Sequence, residues 1–336
     1  MKRKKRRKLR LKSNVKLFLI IILVLVIGFR IGYNKYEEYL YTKTSDYAIT
    51  NLGYTEEDLA IINSKLNEDE KWYIANTIGY NEFIINFIKC EYFIPKNIDR
   101  YLKQTVNKED DFWHYKKPDT YDYDSLVTKV NVMTDNEYYS ESVPTDMSKG
   151  YGILANKYHY LASDYVPDDL VKVEWKYRFG GESNTIQIRN EVYEAFKLMW
   201  NAANEEGHYL MVESGFRTYD YQKKIYDDYA KKRGVTYADS IAARPGYSEH
   251  QTGLALDIYS KSCSTSNEFK NTKVYEWLLN NSYKYGFILR YPENKNKITG
   301  YNFESWHYRY VGVDLAAKVH ESGLTFDEYY AFYLER

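Results

Sequence analysis

The chain has 336 residues, with 47 Lys and Arg against 47 Asp and Glu, and 44% of it is hydrophobic. That is enough apolar material for one or two globular cores, which excludes a wholly disordered chain. Six prolines and 17 glycines exclude a collagen-like or proline-rich architecture, and two cysteines exclude a disulfide scaffold or a four-cysteine zinc site.

The neutral total conceals a split. Residues 1–30 hold eleven of the basic residues and no acid, so residues 31–336 carry 36 basic against 47 acidic groups, a balance of −11. Met1 to Lys12 reads MKRKKRRKLRLK, and Leu17 to Phe29 reads LFLIIILVLVIGF. Counted through Tyr33, the apolar run is about 25 Å long as a helix, close to the ~30 Å of a hydrocarbon core. A basic arm over 1–13 followed by a signal anchor over 14–33 places the arm in the cytoplasm and the remainder outside it. A cleavable signal is the rival, but no small-x-small cleavage site follows Phe29. A nucleic-acid-binding tail is disfavoured, because the arm abuts an apolar helix and the acidic remainder repels phosphate.

Residues 34–111 read as a polar stalk over 34–46 and a small helical module. Thr55 caps a helix with Asp58 three residues on, and Leu59, Ile62 and Leu66 follow along one stripe. Tyr73 to Ile88 suggests two more short helices, and no catalytic constellation is visible there. Residues 112–150 are polar and weakly patterned, as a linker or a first edge strand would be.

From 151 to 336 the patterns sharpen. Val192, Phe196, Met199 and Ala203 share a helical stripe that Gly207 closes. A strand is expected over His208–Glu213, a helix from Thr218 to Arg233, a further helix over Thr272–Lys284, and strands over Leu254–Tyr259, Phe287–Tyr291 and Trp306–Val311. Two short helices, near Asp314–Glu321 and Thr325–Leu334, end the chain. Strands and helices without regular alternation predict an α+β fold.

Two stretches carry chemistry. In Ser248-Glu249-His250-Gln251-Thr252-Gly253-Leu254-Ala255-Leu256-Asp257, a strand from Gly253 turns Leu254, Leu256 and Ile258 to a core. The other face then holds Gly253, Ala255, Asp257 and Tyr259. A bend at Gly253 could bring His250 beside Asp257. In Glu304-Ser305-Trp306-His307-Tyr308, Glu304 and His307 cannot point the same way from one regular strand: either a helical turn joins them or Glu304 sits in a bend just before the strand, and the aromatic and β-branched run that follows favours the bend. His250, Asp257 and His307 make a three-ligand zinc set with an open position, and Glu304 is a nearby carboxylate able to act as base. Each histidine taken alone is more commonly a packing residue, as His114, His159, His208 and His320 are taken to be.

Together with Ser214-Gly215-Phe216-Arg217, Ala243-Arg244-Pro245-Gly246-Tyr247 and Asn156-Lys157 through Leu170, these strings resemble the VanY-like D-alanyl-D-alanine carboxypeptidases. These are zinc peptidases of bacterial peptidoglycan with the hedgehog/DD-peptidase fold. The resemblance covers about 150–336 and implies a mostly antiparallel sheet flanked by helices. It implies Zn2+ on His250, Asp257 and His307, Glu304 as base, and Arg217 as oxyanion stabiliser. Ser248 and Gln222 would contact the terminal D-residue. The implied reaction removes the last D-Ala from stem pentapeptides; L,D-carboxypeptidase action on tetrapeptides and D,D-dipeptidase action are the alternatives. The expected partners are the stem peptide and, through 14–33, a lipid bilayer; no nucleic acid is expected, and the chain is expected to be monomeric. Cys90 and Cys263 could pair outside the cytoplasm.

Overall fold

The computed structural model describes residues 13–105, 121–181, 185–263 and 266–335, and these fall into two units divided between Tyr123 and Asp124. The expected basic arm lies outside the described residues, apart from Ser13.

The first unit opens with one uninterrupted helix, Ser13–Tyr41. Its stretch Val15–Tyr41 is long and apolar enough to cross a membrane, and Leu17 to Phe29 stand exposed all round it. The stalk expected from residue 34 is therefore helical as far as Tyr41. Nothing between Asn34 and Tyr41 breaks a helix, since that segment has neither proline nor glycine. Short helices follow at Ser45–Asn51, Glu56–Lys65, Glu68–Tyr73, Ile84–Lys89 and Ile98–Lys103. Thr55 and Asp58 form a reciprocal capping box, and Asn67 and Glu70 form another. Ile49, Ile62, Ile74, Ile84, Phe87, Ile88 and Tyr101 are among the most deeply buried side chains of this module.

In the second unit, part of the expected linker is a helix, Tyr123–Asn131, because Val127 and Val130 supply a buried stripe. Two small ladders come next. Strands β1 (Val143–Pro144) and β2 (His159–Tyr160) pair in parallel, and β3 (Leu170–Lys172) pairs antiparallel with β4 (Gln187–Arg189). The main sheet contains β5 (Leu210–Ser214), β6 (Ala255–Ser260), β7 (Phe287–Tyr291) and β8 (Glu304–Tyr310). All its pairs are antiparallel, in the order β5-β6-β8-β7. This is the expected α+β architecture.

One sheet face is the core. Leu254, Leu256, Ile258, Phe287, Tyr308 and Tyr310 pack with Val192, Phe196, Met199 and Ala203 of the helix Asn190–Glu205. Burying four such side chains on the helix contributes roughly 1.5–3 kcal/mol each for the larger ones, which exceeds what helix propensity alone provides. Tyr259, two residues beyond Asp257 and paired with Met211, is buried against Phe269 and stacked on Trp306. Cys90 is a buried thiol and Cys263 a half-buried one.

Candidate metal centre

The opposite face of β6 and β8 carries the polar residues singled out above. His250 lies in a single helical turn, Glu249–Thr252, that Gly253 ends at φ +68°. A side chain at 253 would bring a Cβ to 2.9 Å from Arg189 and strain the backbone as well, so glycine is required for this reversal. The turn folds His250 back over β6. Its Nδ1 is 2.7 Å from the Gly215 carbonyl, which can only accept, so Nδ1 carries the proton and Nε2 keeps its lone pair. That lone pair faces Asp257 Oδ1 at 3.4 Å.

Gly215 can present its carbonyl there because it has no side chain. A Cβ at 215 would lie 2.5 Å from the Gln187 carbonyl and 2.6 Å from Ile188. Asp257 and His307 are direct partners in the β6–β8 ladder, and His307 Nδ1 also stands 3.4 Å from Asp257 Oδ1. The three ligand atoms of His250, Asp257 and His307 all lie within 4.8 Å of one another. Tetrahedral zinc with bonds of about 2.0–2.1 Å needs ligand atoms about 3.4 Å apart, which the two pairs through Oδ1 meet. Oδ1 itself is buried with no hydrogen-bond partner among the described residues. An orphaned carboxylate oxygen between two imidazole nitrogens is the environment a cation would satisfy. The donor set, two nitrogens and one oxygen, suits zinc.

Glu304 is within β8 rather than in a bend before it. A register shift between β7 and β8 pairs Tyr291 with Glu304 and re-aims the carboxylate, leaving Oε2 3.5 Å from His307 Nδ1. A bulge solves in the strand what regular alternation forbids. Burial pushes the Glu304 carboxyl up to about 7, against the pull of His307. Burial also opposes ionisation of Asp257, but His250, His307 and Arg217 outweigh it and hold that carboxyl well below its usual range. Two carboxyl groups in one site are thus driven in opposite directions, as acid–base division of labour requires.

Arg217 Nη2 donates to Asp257 Oδ2 at 2.7 Å, and its Nε donates to Ser214 Oγ at 3.0 Å. A β5 register shift between Val212 and Ser214 brings Ser214 opposite Asp257. Gln222 is buried, accepting from Arg217 Nη1 at 3.4 Å and donating to the Ala243 carbonyl at 2.9 Å. Ser248 is buried at the start of the turn. All seven residues picked from the sequence line one cavity of about 450 Å³.

Glu249 was missed. It is fully enclosed, its Oε1 accepting from Arg290 Nε and Arg309 Nη1, each at 2.8 Å. Its Oε2 faces His307 Nε2 at 3.6 Å. Arg290 also donates to Asp327. The available signal was an arginine flanked by aromatic or aliphatic residues in each of two strands, Leu289-Arg290-Tyr291 and Tyr308-Arg309-Tyr310, which demands a buried acid nearby.

The VanY: D-alanyl-D-alanine carboxypeptidase family model matches residues 185–313. The chain is 43% identical over 179 residues to the putative carboxypeptidase YodJ of Bacillus subtilis, covering 53% of this chain and 66% of that one, just under two thirds of its length. It is 31% identical over 183 residues to the bifunctional D-Ala-D-Ala dipeptidase and D-Ala-D-Ala carboxypeptidase VanXYC of Enterococcus gallinarum, covering 53% and 93%. Among solved structures, the LdcB LD-carboxypeptidase superposes with a TM-score of 0.53 at 40% identity, covering 57% of this chain and 91% of that one. Its fold, its motifs and the near-complete coverage of the Enterococcus relative agree: the chain belongs to the VanY family of D-alanyl-D-alanine carboxypeptidases.

Proposed function

We propose that this chain is a membrane-anchored zinc D,D-carboxypeptidase that removes the terminal D-Ala from peptidoglycan stem pentapeptides. The observation that carries this is the Asp257 Oδ1, unpartnered among the described residues and set 3.4 Å from both His250 Nε2 and His307 Nδ1, with Glu304 beside them. His250, Asp257 and His307 would hold the metal. When bound, zinc supplies Lewis-acid polarisation of a carbonyl and activation of a water.

Glu304 accepts the water's proton and returns it to the leaving amine. Its burial, which lifts its affinity for a proton into the neutral range, equips it for both transfers. Arg217, tied to Asp257 and only partly exposed, offers a fixed cation for charge developing on the scissile oxygen. Ser248 and Gln222 line the cavity where the terminal residue would sit. The helix Ser13–Tyr41 serves as the anchor, with the basic arm inside the cell and the second unit outside, facing the wall.

L,D-carboxypeptidase action on tetrapeptides is the second reading, favoured by the 40% identity to the LdcB enzyme. Incubating full-length protein with penta- and tetrapeptide muropeptides, then weighing the products, tests both. Loss of one alanine from the pentapeptide alone supports the D,D reading. Loss from the tetrapeptide alone replaces it with the L,D reading, and no loss from either removes both.

A further inference from the structure

A second cavity, of about 350 Å³, lies at the other end of the two strands that carry Ser214 and Asp257. Trp175, Arg178, Trp200, Tyr209, Met211 and Lys261 contribute to its walls, and among the described residues no carboxylate does. Met211 is in β5 and pairs with Tyr259 of β6, while Lys261 follows β6 directly, its N–H bonded to the Tyr209 carbonyl at 2.9 Å. Lys261 is four residues beyond Asp257, a separation of about 13 Å along an extended strand. The second cavity and the metal centre are thus held in fixed relation by the sheet.

Single exposed aromatic residues are ordinary. Here Trp175 and Tyr209, 59% and 51% exposed, open onto the same concavity as the half-buried Trp200. Trp200 is immobilised: its Nε1 donates to the Leu210 carbonyl at 3.1 Å, and its ring meets Tyr177 edge-on at 5.1 Å. Rigid aromatic faces, negative at the ring centre, suit the C–H face of a sugar ring and lose little entropy on contact.

Charge narrows the ligand further. Lys176 is already engaged, 3.1 Å from Glu174 and 4.7 Å above the Tyr177 ring. Arg178 is different: its Nε is buried without a hydrogen-bond partner among the described residues. Lys261 forms no ion pair among those residues. This basic lining stands out in a chain whose residues 31–336 are net acidic. A buried N–H donor with nothing to donate to, beside a lysine and aromatic walls, calls for an anionic acceptor on a ligand with an apolar face.

We propose that this cavity binds a sugar or polyol unit bearing a carboxylate or phosphate, and so grips wall polymer while the metal centre engages a stem peptide. That the polymer is the bacterial wall rests on the function proposed above; the ligand chemistry does not. A muramic-type sugar acid and a polyol-phosphate chain share this chemistry, and separate probes tell them apart.

The experiment titrates full-length protein with N-acetylmuramic acid, glycerol 3-phosphate or neutral N-acetylglucosamine, following tryptophan fluorescence. Saturable binding of an anionic probe is expected, weakened roughly tenfold by Trp175→Ala and by Lys261→Gln, both surface changes compatible with folding. Binding of N-acetylmuramic acid alone assigns the sugar acid, and binding of glycerol 3-phosphate alone assigns the polyol phosphate. The same variants should leave hydrolysis of free muropeptide unchanged but slow release of alanine from intact wall fragments several-fold. No saturable binding of either anion at millimolar concentration, or equal binding of N-acetylglucosamine, overturns the proposal. Because binding is read without turnover, an inactive protein that still binds would refute the peptidase and not this site.

Discussion

Glu249 Oε2 stands 3.6 Å from His307 Nε2, while the other oxygen of that carboxylate is clasped by two arginines that solvent does not reach. The far nitrogen of the imidazole thus faces a carboxylate that the two arginines fix in place, while Nδ1 is aimed at Asp257. Removing such a partner typically weakens metal affinity by roughly 10–100-fold. Glu249→Gln is therefore expected to lower zinc affinity by that factor, measured by chelator competition. It should also destabilise the fold by roughly 3–5 kcal/mol, since Arg290 and Arg309 lose their shared counter-charge. Unchanged zinc affinity in the folded variant would separate Glu249 from the metal centre.

Glu304→Gln tests the base. The amide keeps the volume but can neither accept nor return a proton, so turnover should fall by roughly 10²–10⁴ while zinc affinity stays close to wild type. The sign of the stability change is also fixed. Burial already disfavours the Glu304 carboxylate, so a neutral amide should not lower the melting temperature at pH 8 and is expected to raise it slightly. Product mass and a thermal melt of the same sample suffice.

Much of this site was legible because its parts lie in short strings. His250, Gly253 and Asp257 are seven residues apart at most, and one glycine-permitted reversal is enough to join them. Glu304 and His307 were legible as residues but not as geometry. Their union depends on a register shift against Tyr291, and register is set by neighbouring strands that one segment's pattern does not contain. Glu249 was hidden for a related reason. Its partners Arg290 and Arg309 lie 41 and 60 residues away, and an acid beside a histidine reads locally as a solvated charge. The Ser13–Tyr41 helix outran the apolar run for the opposite reason: helix continuation is local, and only a breaker would have stopped it at residue 34.

Gly215→Ala isolates the role of the backbone under His250. The added methyl group would meet the Gln187 carbonyl at 2.5 Å and Ile188 and Ile186 side chains at 2.6 and 2.8 Å, so the segment must shift. An overpacking cost of about 1–3 kcal/mol is expected. The same shift moves the carbonyl that fixes the His250 proton on Nδ1, so zinc affinity should fall together with stability. A variant that loses stability in urea but binds zinc normally would show that this carbonyl does not set the ligand's orientation.

His159, outside the metal centre, predicts an acid limb of stability. Burial lowers its pKa to about 4, with Asp327 pulling the other way, while Asn156 Oδ1 lies 3.0 Å from its Nδ1. In the unfolded chain the imidazole takes its proton near pH 6.5, before the folded protein does. The unfolded state therefore binds more protons between pH 6.5 and 4. Stability from this group is complete above 6.5 and lost as the pH falls towards 4, by about 3 kcal/mol in all. Other carboxylates titrate across the same range, so the measurement is a difference: urea unfolding of wild type and His159→Gln at pH 7.5, 6, 5 and 4. The wild type should lose more stability than the variant across this series. Parallel curves would mean that the folded protein accommodates the charged imidazole, with Asp327 outweighing burial.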